Sequence, residues 1–204
     1  MNAHAGLAGN KVMKLQQMNI PTPEELAKRM GLRDLRIGKH FLRDEGGERS
    51  GCVSVCTLWY AEVVPSFQPR IALAAVTATG EPYKDCCAPD FVKTVLATPE
   101  ASHVSVLDID PMRQALRGID LFCCDQTAPA HDGIAYTFTF QSLHLQGTLQ
   151  FGNPSHACLR GLEEALLALA RRIAADARDV KLTAAAEGWN EFVQGKPAAD
   201  RPRG

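Results

Sequence analysis

The chain has 204 residues, of which 46% are hydrophobic and 22% are charged, a composition typical of a globular protein with one substantial core. Its formal net charge is −1 at pH 7, so no overall electrostatic field directs it toward nucleic acid or an acidic membrane surface. The N-terminus lacks the basic and apolar regions of a secretory signal, and no apolar run approaches the ~18 residues that span a bilayer. These features favour a cytoplasmic protein without a membrane partner.

The first clear helix signal lies within residues 22–43. Thr22 is a candidate N-cap residue, and Pro23 fits the first helical position, where its missing N–H costs nothing. Glu25 is favourable near the positive end of the helix dipole. Gly31 suits the position just after the last helical turn. A short helix is therefore predicted between Thr22 and Gly31.

The same segment resembles the helix-turn-helix motif of bacterial DNA-binding proteins. Ala27 takes the place of the alanine between the two helices, Gly31 makes the turn, and Leu32 and Ile37 fill apolar positions. The resemblance implies a second, recognition helix. Residues 22–43 contain six basic and three acidic residues, a surplus that suits contact with phosphates. The DNA-binding residues predicted on this reading are Arg33, Arg36, Lys39 and Arg43. The alternative is a pair of short amphipathic helices that pack on the sheet.

The middle of the chain predicts mainly strands. Residues 52–64 form a long central strand in this interpretation, because β-branched and aromatic residues occupy both of its faces. A second strand at 71–79 ends at the turn Gly80-Glu81-Pro82. The further elements predicted are a helix at 89–97, a strand at 103–109, a helix at 110–118 that opens on Asp110-Pro111, and a strand at 119–124.

Residues 134–151 alternate between apolar and polar side chains, which predicts a β-hairpin. The apolar set comprises Ile134, Tyr136, Phe138, Phe140, Leu143, Leu145, Leu149 and Phe151. Asn153 and Pro154 then predict the N-cap and the first residue of a helix at 154–175. Its apolar stripe consists of Leu159, Leu162, Leu166, Leu169 and Ile173. We expect this stripe to cover the hairpin, with Leu162, Leu166 and Leu169 buried.

These elements predict an α+β fold. It consists of a mostly antiparallel sheet with helices packed largely on one face, and of a C-terminal β-hairpin followed by a long helix. The division predicted along the chain is a short helical segment at 1–50, an α+β domain at 51–194 and a disordered tail at 195–204.

The seven cysteines do not predict a metal site. The vicinal pairs Cys86-Cys87 and Cys123-Cys124 lack the spacing of zinc ligands, and adjacent residues of a strand point to opposite faces. At least five of the seven are expected to be buried, reduced thiols. The chain also lacks a nucleophile elbow, a metalloprotease motif, a phosphate loop and a dinucleotide glycine pattern. No catalytic residue, metal ligand or cofactor is therefore predicted.

The polar face of the predicted hairpin is the main candidate for a binding surface. Its members are Thr137, Thr139, Gln141, His144, Gln146, Thr148 and Gln150. Exposed strands ordinarily carry more Lys and Glu, whereas this face is almost uncharged and rich in amides. It suits contact with another protein or a polar ligand, and an ordinary solvated face is the alternative. The sequence thus favours a small binding or accessory protein without its own chemistry, with a DNA-binding regulator as the alternative.

Overall fold

The computed structural model describes residues 20–43, 49–66, 68–79, 91–107, 110–119, 133–154 and 157–194. The helices are α1 (Pro23–Arg29), α2 (Asp110–Arg117), α3 (Ala157–Ala177) and α4 (Val180–Gln194). The strands are β1 (Gly38–Arg43), β2 (Arg49–Pro65), β3 (Ile71–Thr79), β4 (Phe91–Ala97), β5 (Ser102–Ser105), β6 (Ile134–Ser142) and β7 (Gln146–Gly152). The predicted strand at 119–124 beyond its first residue, and the predicted tail at 195–204, lie outside the described residues.

The strands form one seven-stranded antiparallel sheet in the order β5-β4-β3-β2-β6-β7, with β1 paired to β2. Strand β2 is 17 residues long and organises the sheet. Strand β3 pairs with one side of β2. On the other side, β1 pairs with the first part of β2 and β6 with the second part, so β1 and β6 lie end to end. Strands β7 and β5 form the two ends of the strand order.

Each face of the sheet has its own hydrophobic core. On the first face, which we call the helix face, α3 and α4 cover β2, β3 and β6 through residues such as Phe138, Leu166 and Trp189. On the second face, which we call the α1 face, Leu26 and Met30 pack against alanines and valines of β2, β3 and β4. Small residues on this second face, such as Ala74, let the short helix α1 approach closely.

The predicted fold class is wrong in its arrangement. The last described residues form two long helices of 21 and 15 residues, whereas the prediction was a hairpin followed by one long helix. Arg178 ends α3 in the left-handed region at φ 52°, and the Asp179 carboxylate accepts hydrogen bonds from the backbone N–H groups of Lys181 and Leu182, which starts α4. The first strand of the hairpin, β6, lies in the interior of the sheet, because it pairs with β2 as well as with β7. The helices are also not confined to one face, because α1 packs on the second face.

Two segments that were predicted as helices are strands. Residues 91–97 form β4, because Val95 and Leu96 are buried in opposite cores and an interior strand needs apolar residues on both faces. The predicted recognition helix is replaced by β1, which pairs with β2 and buries His40. The imidazole of His40 lies 2.9 Å from the carbonyl oxygen of Arg36, and this contact holds the connection between α1 and β1.

Several local predictions are confirmed. Thr22 caps α1 in a capping box with Glu25, and Gly31 follows the helix at φ 76°. Helix α2 spans Asp110–Arg117 as expected. The stripe residues Leu162, Leu166 and Leu169 are buried.

The ends of the hairpin differ from the prediction. Its turn lies at Leu143 and His144, so Leu143 and Leu145 are 60% and 56% exposed instead of facing the core. Asn153 adopts φ 41° and accepts a hydrogen bond from the Ile134 N–H at 2.9 Å. It therefore closes the open end of the hairpin instead of capping a helix, and α3 begins at Ala157.

Candidate functional site

The polar residues predicted for binding are largely brought together on one surface. On the α1 face, the Thr139 and Thr148 hydroxyls are 3.1 Å apart across β6 and β7, and the Gln141 amide donates to Gln146 at 3.5 Å. Gln146, Thr148 and Gln150 are exposed, and Thr137, Thr139 and Gln141 are half-buried. His144 lies in the hairpin turn, so it borders this surface without belonging to the strand face.

Two residues of β2 extend this surface and were missed from the sequence. Tyr60 pairs with Thr139, and Glu62 pairs with Thr137, so both side chains share the face of the hairpin threonines. The sequence did not indicate that these two residues belong to a polar surface, because apolar residues surround them on both faces of β2. We call the set formed by Tyr60, Glu62, Thr137, Thr139, Gln141, Gln146, Thr148 and Gln150 the polar strip.

The polar strip is built for hydrogen bonding. Burial raises the pKa of Tyr60 to about 12, and the nearby Glu62 adds to this effect while Arg70 opposes it. The phenol is therefore protonated at neutral pH and remains a hydrogen-bond donor. Arg70 donates to the Glu62 carboxylate at 3.4 Å. The charge on the strip is thus balanced by its own neighbour, and the remaining members are neutral.

The four residues predicted to contact DNA do not lie on a common helix. Arg33 and Arg36 are exposed in the connection between α1 and β1, whereas Lys39 and Arg43 belong to β1. The Arg36 guanidinium pairs with the Asp34 carboxylate at 3.0 Å. A recognition helix places its base-reading side chains along one face. Lys39 and Arg43 instead lie on a strand that is paired with β2, so this segment has no such helix face.

A buried polar network joins the hairpin to the two C-terminal helices. The Tyr136 hydroxyl donates to the Glu163 carboxylate at 2.5 Å and accepts from the Trp189 indole N–H at 3.0 Å. These side chains are 2%, 2% and 0% exposed, respectively. Burial, and then the adjacent carboxylate, raises the pKa of Tyr136 far above its usual range. Because the network is enclosed, it orients β6, α3 and α4 against one another and offers no access to a substrate.

A serine, a histidine and an aspartate also meet between β5 and α3. The Ser105 hydroxyl donates to Asp176 Oδ2 at 2.6 Å, and His103 Nε2 lies 3.1 Å from the same oxygen. A hydrolytic triad needs the serine hydroxyl on the histidine instead. Here both groups bind the carboxylate, so the cluster attaches the edge strand β5 to the end of α3.

We expect this cluster to make stability depend on acidic pH. Hydrogen bonds, first from Ser105 and then from His103, lower the pKa of Asp176 below its usual value. A lowered pKa stabilises the folded state above the ordinary carboxyl pKa, and that contribution is lost as the pH falls through the folded-state value. Urea melts between about pH 7 and pH 3 should show a smaller acid-side loss for Asp176→Asn than for the wild type. The control Glu187→Gln, at an exposed site on α4, should retain the wild-type loss.

Three of the seven cysteines lie within the described residues, and none of these three is in a disulfide. Cys56 is buried, whereas Cys52 and Cys158 are half-buried. Cys86-Cys87 and Cys123-Cys124 lie outside the described residues, so the expectation of five buried thiols stays a prediction. In the described ranges, no three His, Cys, Asp or Glu side chains are grouped so that they could hold a metal ion.

A small cleft of about 240 Å³ lies between the start of α4 and the turns that follow β2 and β4. Three of its polar side chains are already engaged in contacts with other residues. Lys181 pairs with Glu100 at 3.0 Å, and the Thr98 hydroxyl donates to the Ala101 carbonyl. Proline and alanine supply much of the remaining lining. The cleft is therefore a weaker candidate for a binding site than the polar strip.

The described residues form a sheet-rich structure with a hydrophobic core on each face of its antiparallel sheet. Comparison with known proteins gives no match to a family model, a curated protein or a solved structure. None of the helices that the structure describes combines the length and the apolar character needed to cross a membrane.

Proposed function

We propose that this chain is a binding module that recognises another protein through the polar strip. The observation that supports this proposal is the composition of the strip. It offers hydroxyl and amide groups on three adjacent strands, on a face that α1 covers elsewhere. Exposed strand faces usually carry charged side chains, which discourage association. The strip keeps only one charged side chain, Glu62, and that residue is paired with Arg70.

A neutral hydrogen-bonding surface implies a particular response to salt. Binding through charged groups weakens as ionic strength rises, because counterions screen the attraction. Hydrogen bonds between neutral groups depend little on salt. Recognition through the polar strip should therefore persist between about 50 and 300 mM salt, whereas contact with nucleic acid phosphates would weaken steeply over this range.

Photo-crosslinking from the strip tests this proposal. A photoreactive phenylalanine analogue at Gln141 should give a discrete adduct with a second protein in cells, and the same analogue at Gln114, exposed on α2, should not. When the crosslink is formed in a lysate instead, the yield of adduct should be similar at about 50 and about 300 mM salt. Failure to form an adduct at Gln141, or equal yields from both positions, would contradict recognition through the strip.

Substitutions on β6 supply a quantitative prediction for the same surface. In Thr139→Lys/Gln141→Lys, two charges enter the strip while every residue of the outer strand β7 and of the core keeps its identity. We expect recovery of the crosslinked or co-purified partner to fall about tenfold or more, because each unpaired charge must be desolvated in the complex. Circular dichroism should show an unchanged fold. The matched control Gln114→Lys should recover the partner as the wild type does.

A further inference from the structure

Strand β7 is an unprotected edge within the described part of the sheet. It is seven residues long and, among the described strands, it pairs only with β6. Its sequence, Gln146–Gly152, contains no charged residue and no proline. Proteins usually protect such edges with lysine, proline, a bulge or a short strand, because the unpaired backbone groups can bind another strand. None of these devices is present on β7.

The ladder fixes which backbone groups of β7 face outward. Hydrogen bonds at the two ends of the hairpin, from Ser142 N to the Leu145 carbonyl and from Asn153 N to the Ile134 carbonyl, set the alternation. The odd-numbered residues of β7 therefore bond to β6. The backbone N–H and C=O groups of the even-numbered residues, Gln146, Thr148, Gln150 and Gly152, point away from the sheet.

Strand β5, at the opposite end of the strand order, is less available for pairing with another strand. Strand β5 has only four residues, and its Ser105 and His103 side chains are bound by Asp176 of α3. A short edge strand attached to a helix offers little to another strand. The two ends of the strand order are thus unequal, and the longer, neutral one is β7.

We propose that β7 pairs with β7 of a second copy of this chain, antiparallel about a two-fold axis at Leu149. In this register Gln146 of each copy faces Gly152 of the other, and Thr148 faces Gln150. All four outward-facing residues of each strand then form hydrogen-bonded pairs. The two sheets join into one, and the polar strips of the two copies become continuous across the axis.

Side chains on both faces are self-complementary in this register. On the α1 face, two Thr148–Gln150 pairs place hydroxyls opposite amides, without any like charges. On the helix face, the half-buried Leu149 meets its own symmetry mate. Phe151 faces Gly147, over which the Phe140 ring already lies, since a Cβ added at Gly147 would be 2.8 Å from that ring. Aromatic rings of the two copies are thereby brought together.

The contact is limited to one strand and its flanking side chains, so we expect a reversible dimer with a Kd in the micromolar range, about 10–100 µM. Sedimentation velocity on the purified protein, from about 5 to 500 µM, should show a concentration-dependent shift from monomer to dimer. A wild-type protein that stays monomeric throughout this range would overturn the inference. The measurement uses no other protein, so its outcome does not depend on the proposed function of the strip.

Charge substitutions test the register as well as the edge. Thr148→Lys/Gln150→Lys places two lysine pairs directly across the axis and should weaken dimerisation about tenfold or more. Thr148→Lys/Gln150→Glu puts opposite charges at the same pairs and should restore it. Circular dichroism verifies that both variants fold. Dimerisation that is unchanged in the first variant, or that stays weak in the second, would overturn pairing in this register.

A cysteine at the axis gives an independent measurement. In Leu149→Cys, the two new thiols would lie on a non-hydrogen-bonded pair with Cα atoms about 4.5 Å apart, within the range that a disulfide spans. Mild oxidation should produce a covalent dimer that reducing agent dissolves, at a yield well above that of the wild type. Equal yields from the variant and the wild type would contradict the proposed axis.

Discussion

Replacing Leu166 with alanine is expected to lower the free energy of unfolding by about 2–5 kcal/mol. Leu166 is 0% exposed and lies in the core between α3 and the helix face of the sheet. Truncation removes apolar contacts and leaves a cavity that the surrounding strands cannot close, because the sheet is fixed by its hydrogen bonds. Urea melts of the wild type and the variant measure the loss directly.

An exposed leucine of the same protein provides the matched control. Leu143 lies in the hairpin turn and is 60% exposed, so Leu143→Ala should change the free energy of unfolding by no more than about 0.5 kcal/mol. A loss below about 0.5 kcal/mol for Leu166→Ala itself would mean that α3 does not cover this face of the sheet.

Substitution of Tyr136 with phenylalanine is expected to cost about 1–3 kcal/mol or more at neutral pH. The change removes only a hydroxyl, yet the Trp189 indole N–H loses its acceptor and the Glu163 carboxylate loses a donor. Both groups are buried, and the indole N–H that loses its acceptor carries its full desolvation cost. The matched control is Tyr60→Phe, where the ring is half-buried and we expect a loss of about 0.5 kcal/mol or less.

The same pair of variants separates two responses to alkaline pH. The folded-state pKa of Tyr136 is raised far above the unfolded value near 10, so its contribution is fully present below about pH 10 and is lost as the pH rises. Between its unfolded-state and folded-state pKa values, a tyrosine of this kind lowers the free energy of unfolding by about 1.4 kcal/mol for each unit of pH. Tyr136→Phe should remove one such slope. In Tyr60→Phe, the decrease in unfolding free energy that Tyr136 causes should remain. This variant should lose only the smaller pH dependence due to Tyr60, which ends near pH 12, the folded-state pKa of that residue.

Local signals in the sequence were sufficient for several elements. The cap at Thr22, the turn at Gly31 and the helix that begins at Asp110 depend on residues within one or two helical turns. The stripe of α3 likewise follows from spacing alone, and Leu162, Leu166 and Leu169 are buried as expected. Such features are predictable because nearby residues supply the capping groups, and the periodicity itself defines the buried side.

Segments whose structure depends on distant residues were predicted less well. The apolar residues Phe91, Val92, Val95 and Leu96 have the spacing of one side of a helix, and only the pairing of this segment with β3 and β5 makes it a strand. The basic residues near Lys39 suggested a recognition helix, but pairing with β2 makes this segment a strand. In both cases the tertiary hydrogen bonds outweigh local preference.

The candidate site could be predicted only in part, because some of its residues are close in the chain and others are distant. Period-two alternation predicted that Thr139 and Thr148 share a face, and their hydroxyls lie 3.1 Å apart. Tyr60 and Glu62 could not be added, because the pairing of β2 with β6 joins residues that are far apart in the chain. The partnership of Tyr136 with Trp189 was hidden in the same way, since α4 follows a second helix start at Asp179.

The position of β6 beside β2 also determines how the chain reaches its native state. The hairpin β6–β7 is local and can form within about 1–10 µs, but its docking on β2 joins Pro65 to Ile134, across about 70 residues. Closing a loop of this length costs entropy before any contact compensates for it. Chains dominated by such long-range pairings fold slowly, in milliseconds to seconds. The rate-limiting barrier should therefore lie at the β2–β6 junction, and while it remains open both strands are exposed to aggregation.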